Sequence, residues 1–274
     1  MSTTMQRPLL LAGCGKMGGA MLSGWCDSGI TASGVMVVEP MGAAAFESKP
    51  GVTTVASADG IPAEFDPKVV VFAVKPQQMD NVVPGYARFA KPDTVFMSIA
   101  AGKTIGYFEK HLGANAAIVR AMPNTPAAIG QGITVTCPNA NVTTDQSALC
   151  SALMESVGDA LSVTDEGLID AVTALSGGGP AYVFLLIECL TEAGVQAGLP
   201  RDMAAKLSLV TVAGSAQLAL TSDDAPSVLR ENVTSPGGTT LEALNVLMAN
   251  DGLQPIMTKA IAAATARSKE LAGG

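Results

Sequence analysis

The sequence predicts an α/β protein: a doubly wound parallel sheet in the N-terminal half, followed by an all-α C-terminal domain. Three observations predict it. The first half alternates short apolar, β-branched runs with segments of helical spacing. A glycine-rich turn, Gly13-Cys14-Gly15-Lys16-Met17-Gly18, joins the first run to the first helix. From Gly167 onward the strand pattern stops and long apolar helical stretches replace it. Runs that are apolar on both faces suit strands covered by helices on both sides. The 274 residues suffice for two domains. The change of pattern near Asp165 divides them into 1–164 and 165–274.

The elements follow in order. "RPLLLAGCG" is a strand ending in glycine, and "KMGGAMLSGWCDSG" a helix with a glycine stop. "GVMVVEP" is the second strand, "MGAAAFESK" reads as helical, and "VTTVAS" as a short strand. "KVVVFAVKP", "DTVFMSIAAG", "AAIVRAMPNTP" and "QGITVTCPN" are further strands, with "TIGYFEKHL" helical between them. Past "TTDQSALCSALMESVGDALSVTDE", four helical stretches follow, and two motifs that interrupt them stand out: Ser176-Gly177-Gly178-Gly179-Pro180 and Ser235-Pro236-Gly237-Gly238-Thr239-Thr240. These C-terminal helices are apolar on more than one face, which predicts burial against a second subunit.

Composition excludes several classes. Net charge is −8 and no Lys/Arg run occurs, so a nucleic-acid partner is not expected. Five scattered cysteines without a C-x-x-C pair indicate a reduced, cytoplasmic protein and no metal site. Ala204 to Leu220 is the most membrane-like stretch, but Lys206 and its small polar residues suit a buried or interface helix better. No membrane association is expected. Hydrophobic residues make up 48% and charged residues only 15%, which again asks for subunit burial.

The glycine turn fits G-x-G-x-x-G in the strand–turn–helix context that a dinucleotide-binding, Rossmann-type domain requires. Gly13 permits the tight turn, Gly15 lets backbone approach a pyrophosphate, and Gly18 lets the helix pack on the strand. Glu39 ends the second strand, where a carboxylate accepts hydrogen bonds from the adenine-ribose hydroxyls and repels a 2′-phosphate. The cofactor is therefore NADH or NADPH, with Glu39 leaning towards NADH. Ala73-Val74-Lys75-Pro76 ends the strongest central strand, at the edge where ligands bind in open α/β sheets. Ala100 and Ala101 end the next strand, and small residues there admit a flat ring. Pro123 and Pro126 hold Asn124 and Thr125 in a rigid turn after the strand beyond that. Ser176 to Pro180 reads as a break between helices or as a gap for close approach of a ligand.

Thr239-Thr240-Leu241-Glu242 has the spacing of a capping box, with Thr239 as cap, so a well-made helix start would explain it. A helix start also offers free N–H groups and a positive dipole end, both suited to a carboxylate. Gly237 and Gly238 leave that end unobstructed, and Thr240 adds a hydroxyl. His111 is the only histidine, placed at an exposed helix end. No Ser-His-Asp set or carboxylate pair is apparent. Reducing a carbonyl to an alcohol needs a proton donor. An iminium already carries its proton, so an acid-poor site with a carboxylate-binding helix start suits a cyclic imino acid.

Together "GCGKMGGAM", "FAVKPQQM", "SIAAGKTI", "RAMPNTPA", "DAVTALSGGGPAYVFLLIE", "GLPRDMA" and "ENVTSPGGTTLEAL" resemble the pyrroline-5-carboxylate reductase family over nearly the whole chain. The resemblance implies an N-terminal Rossmann domain with a C-terminal all-α dimerisation domain. It implies reduction of L-1-pyrroline-5-carboxylate to L-proline, and a homodimer that can assemble into a decamer. It further implies that Ser235 and the backbone near Gly238 and Thr239 hold the substrate carboxylate, with Thr240 at the ring nitrogen. Ala73, Val74, Lys75, Pro76, Ala100 and Ala101 then line the cofactor side, and Asn232 reaches the cofactor from a neighbouring subunit. The chain departs from the family pattern at Glu39-Pro40, where Ser or Asn followed by basic residues is common, and at Gly178, where Ser is usual. It also lacks the usual Asn near Ser57 to Gly60. Alternatives are a β-hydroxyacid dehydrogenase, whose chemistry expects a lysine that "GGGPAYVFLLIE" lacks, and a non-catalytic NAD(H)-binding protein.

Overall fold

A computed structural model describes residues 5–273. The chain divides into two compact units, residues 1–178 with 264–274, and residues 179–263.

The first unit holds eight strands: β1 (Leu9–Ala12), β2 (Val35–Val38), β3 (Val52–Val55), β4 (Val69–Phe72), β5 (Val95–Ser98), β6 (Ala117–Met122), β7 (Gly132–Pro138) and β8 (Gly158–Ser162). Their order in the sheet is β3-β2-β1-β4-β5-β6-β7-β8. The strand order reverses direction between β1 and β4, which opens a crevice at their carboxyl ends. The alternation of side chains in β1 shows why both faces had to be apolar. Leu9 and Leu11 pack with Met21, Leu22 and Trp25 of α1 (Lys16–Ser28), and with Leu149 and Leu153. Leu10 and Ala12 pack on the opposite face with Phe72, Tyr86, Phe96 and Phe108. Each fully buried leucine contributes about 1.5–3 kcal/mol to that core. The indole N–H of Trp25 is satisfied by the Leu153 carbonyl at 2.9 Å.

Most strand pairs are parallel, but β7 runs antiparallel to β6, with Val119 opposite Pro138. The link from Met122 to Gly132 is too short for a crossover, which takes a dozen or more residues, so the chain turns back on itself. β8, "GDALS", escaped the sequence reading because it is a short, half-exposed edge strand with no apolar burst. The expected helix over "MGAAAFESK" is instead a succession of turns. Gly42 is left-handed at φ +77°, and Phe46 N and Lys49 N donate to Ala43 O and Phe46 O.

The remaining helices are α2 (Met79–Val82), α3 (Ile105–Leu112), α4 (Thr144–Glu155), α5 (Leu168–Val172), α6 (Gly179–Gln196), α7 (Arg201–Thr221), α8 (Pro226–Asn232), α9 (Thr239–Leu247) and α10 (Leu253–Ala272). The change to all-helical sequence falls at Asp165, whereas the compact units divide at Gly178. The turn between them packs on the sheet: Ile169 is fully buried with Met122, Val135 and Cys137. The glycine run is not a break. Thr173–Gly177 form a π-helical turn that carries the helix on to Gly179, a distortion common at functional sites.

In the second unit α6 and α7 pack as a pair, with Gly194 against Ala204 and an Arg201–Glu192 ion pair at 2.8 Å. Gly198, left-handed at φ +99°, turns the chain between them, and Leu199 N donates back to Gly194 O. No residue of α6 is buried within one chain, and Phe184, Val210 and Leu218 remain 59%, 53% and 56% exposed. Leu168–Gln196 and Arg201–Thr221 are long and apolar enough to cross a bilayer by length and composition.

Candidate active site

The carboxyl edge of the sheet brings three loops of the first unit together. Gly13 sits at φ +93°, and a Cβ there would lie 2.8 Å from Val74 Cγ1 and 2.9 Å from the Ala73 carbonyl carbon. The end of β4 therefore stands directly against the glycine turn. A Cβ on Gly18 would lie 2.4 Å from Gly13 O, so α1 can pack this closely only without one. A Cβ on Gly15 would meet nothing within 4 Å. Gly15 is the N-cap of α1, with no side chain bonded to the helix start and no acid in the first turn. Tightness at Gly13 and Gly18, with open space and uncapped N–H groups at Gly15 to Met17, fits a pyrophosphate.

Glu39, half-buried, lies against the same turn. Its Oε2 accepts from Cys14 N at 2.8 Å and its Oε1 from Met41 N at 3.3 Å. Burial, and then the charge of Glu39, push the Cys14 thiol up from its ordinary value, so it stays protonated at neutral pH. Among residues 40–48 there is no cation, and Lys49 is engaged by Asp27 at 3.2 Å.

Pro76 opens a short 3-10 turn, Pro76–Gln78, with exposed Lys75 as its N-cap. Ala100 is buried and Ala101 half-buried, and Ala100 N donates to Ser98 Oγ at 3.2 Å. Asn124 holds the start of β7, accepting from Ile133 N at 2.9 Å, while Thr125 is exposed. His111 is half-buried rather than exposed, with its ring tilted at 55° to that of Tyr107 and the ring centroids 4.7 Å apart.

Contacts the sequence reading missed also hold these loops. Lys103 bonds Asp80 at 3.3 Å and lies 4.2 Å over Tyr107, tying the segments after β4 and β5. Glu166 Oε1 accepts from Ile105 N at 2.8 Å and from the buried Arg120 at 2.9 Å. A lone arginine inside the apolar strand β6 was the available signal, because such a charge needs a partner.

In the second unit Ser235, Pro236, Gly237 and Gly238 form one turn, closed by Gly238 N donating to Ser235 O at 3.0 Å. Proline second and a left-handed glycine third, with Gly237 at φ +67°, is the pattern of a type II turn. The expected capping box does not form: Gly238, not Thr239, is the N-cap of α9, and no side chain caps it. The reason is register. The turn ends on Gly238, so Thr239 and Thr240 are already the first helical residues, and their N–H groups precede the first helical bonds, Leu241 N and Glu242 N to Gly238 O. Ser235, Gly237, Thr239 and Thr240 are all exposed, as is Asn232 at the end of α8.

Comparisons agree with both halves. Residues 166–271 match the family model described as pyrroline-5-carboxylate reductase dimerisation. Residues 9–102 match the one described as NADP oxidoreductase, coenzyme F420-dependent. A pyrroline-5-carboxylate reductase of Pseudomonas aeruginosa is 41% identical over 263 residues, covering 95% of each chain. The structure of a pyrroline-5-carboxylate reductase from Coxiella burnetii superposes with a TM-score of 0.89 at 36% identity, covering 97% of this chain and 99% of that one. The Plasmodium falciparum pyrroline carboxylate reductase, with NADP bound, gives 0.83 at 30% identity, covering 98% and 99%. With relatives this close over nearly their full length, and a family match across the helical part, the chain belongs to the pyrroline-5-carboxylate reductase family.

Proposed function

We propose that the chain reduces L-1-pyrroline-5-carboxylate to L-proline, the last step of proline biosynthesis, as a cytoplasmic homodimer able to assemble further into a decamer, and with NADH preferred over NADPH. The reading rests above all on the Ser235–Thr240 segment. A type II turn delivers two free helical N–H groups beside two threonine hydroxyls, with no carboxylate among its six residues.

The nicotinamide cofactor supplies the hydride. Gly13, Cys14, Gly15, Lys16, Met17 and Gly18 would form the cradle of its pyrophosphate, with the backbone N–H groups of Gly15 to Met17 as donors, while Gly13 N and Cys14 N stay on Val38 O and Glu39 and shape the turn. Glu39 accepts from the ribose hydroxyls and opposes a 2′-phosphate. Ala73 to Pro76, with Ala100 and Ala101, shape the wall beside the flat ring, and Asn232 contributes from a neighbouring subunit. Ser235, Gly237, Gly238 and Thr239 clamp the substrate carboxylate. Thr240 bonds the ring nitrogen and orients the C=N carbon. Hydride adds to that carbon, the π pair moves to the already protonated nitrogen, and the product is the secondary amine. No side-chain acid is required for the step. The uncovered apolar faces of α6 and α7 support subunit pairing.

The test is a steady-state assay with pyrroline-5-carboxylate, run with NADH and NADPH in parallel, with the product identified. Proline is expected with both, and kcat/KM is expected to be roughly tenfold higher with NADH, the size of about one charge–phosphate repulsion. A clear NADPH preference would remove Glu39 as the selector. No proline with either cofactor would overturn the reading.

A further inference from the structure

We infer that the end of the C-terminal helix, through Ser268 and Leu271, is a positioning element for the loop Ala100–Gly102, and so for the nicotinamide cofactor. The inference rests on the reading of that loop as part of the cofactor wall.

All the residues involved lie in the first unit. Gly102 follows Ala100 and Ala101, is buried, and sits at φ +74°. The last turn of α10 stands directly on it: a Cβ at Gly102 would lie 3.1 Å from both Leu271 Cβ and Leu271 O. The loop is thus covered from behind by helix backbone rather than by a movable side chain tip. A buried bond fixes the helix there. Ser268 Oγ donates to Asp170 Oδ1 at 2.6 Å, and the two residues are 5% and 8% exposed.

The same short stretch pins the loop from its other end. Glu166, four residues before Asp170, accepts from Ile105 N, the first residue of α3. Arg120, itself 1% exposed, orients that carboxylate. Two carboxylates on one turn therefore hold both flanks of Ala100–Thr104: Glu166 the start of α3, and Asp170 the helix that covers Gly102. Ala101 packs against the buried cluster of Met122, Val135, Cys137 and Ile169. Neither Asp170 nor Ser268 belongs to the site proposed above. A buried carboxylate is costly without a partner, so the Asp170–Ser268 bond fixes where the last turn of α10 can dock.

The test uses full-length variants and measures NADH binding directly, by fluorescence without any imine, so that it does not depend on turnover. Asp170→Asn keeps an acceptor oxygen for Ser268 and is expected to bind NADH within about twofold of the wild type. Asp170→Asn/Ser268→Ala removes the bond without stranding a charge, so the chain still folds. Its dissociation constant for NADH is expected to rise roughly fivefold to tenfold, the scale of one buried hydrogen bond lost from a positioning shell. In the assay KM for NADH should rise in parallel, while kcat at saturating NADH changes little. A folded double variant that binds NADH as tightly as the wild type would overturn the inference, whatever its melting temperature. An equal loss in Asp170→Asn alone would overturn it too, since the bond is retained there. Weaker binding by the double variant alone supports it.

Discussion

Thr240→Ala is expected to lower kcat by roughly 10²-fold, the effect of removing one group that acts on the reacting atoms. Cofactor affinity should hardly change. Three features of the segment make the variant clean. Thr240 is exposed, so its loss leaves no cavity. The N-cap of α9 is Gly238, so no cap is lost, and stability should shift by less than about 0.5 kcal/mol. The backbone N–H of residue 240 remains at the helix start, so the carboxylate clamp survives and KM for the imino acid should move by only about twofold. Loss in kcat with little change in KM marks an interaction made chiefly as the hydride adds. Turnover within threefold of the wild type would take Thr240 out of the chemistry, leaving the segment as a carboxylate clamp only.

The sheet was legible because its physics is local. Strands such as Leu9–Ala12 and Val69–Phe72 are buried on both faces, so they write continuous apolar runs into the sequence. The glycine turn was legible because its spacing is local, three glycines within six residues between a strand and a helix, although Gly13 and Gly18 are also demanded by the approach of Ala73 and Val74 after β4. What was lost depended on distant partners or on register. β8 is an edge strand with little to bury, so "GDALS" carries no pattern. The capping-box spacing at Thr239 was real, but the turn ending on Gly238 shifted the helix start by one residue. The π turn at Thr173–Gly177 lets three glycines continue a helix that local propensity would break. The clasp between Asp170 and Ser268 joins residues 98 apart, and no local pattern announces it. Arg120 within "AIVRAM" did announce a partner, but not that Glu166 would be the one.

The glycine turn yields the sharpest contrast, because Gly15 and Gly18 fail for different reasons. Gly18→Ala places a Cβ 2.4 Å from Gly13 O and 3.2 Å from Ala73 Cβ, where backbone must give way. The helix start moves off β1 and β4, and the variant should lose roughly 1–3 kcal/mol of stability. NADH binding should also fall, by roughly 30-fold or more, since the shifted atoms are those around the pyrophosphate. Gly15→Ala adds a Cβ that meets no protein atom within 4 Å, at φ −70°, a conformation alanine adopts freely. Its stability should stay within about 1 kcal/mol of the wild type, the range for an N-cap change. Its NADH affinity should nonetheless fall about as far, because the open space beside Gly15 is the space the pyrophosphate needs. Thermal melts and fluorescence titration of the two variants separate these effects. A Gly15→Ala protein that binds NADH normally would mean the phosphates lie elsewhere, and the uncapped start of α1 would then be no more than the end of a helix.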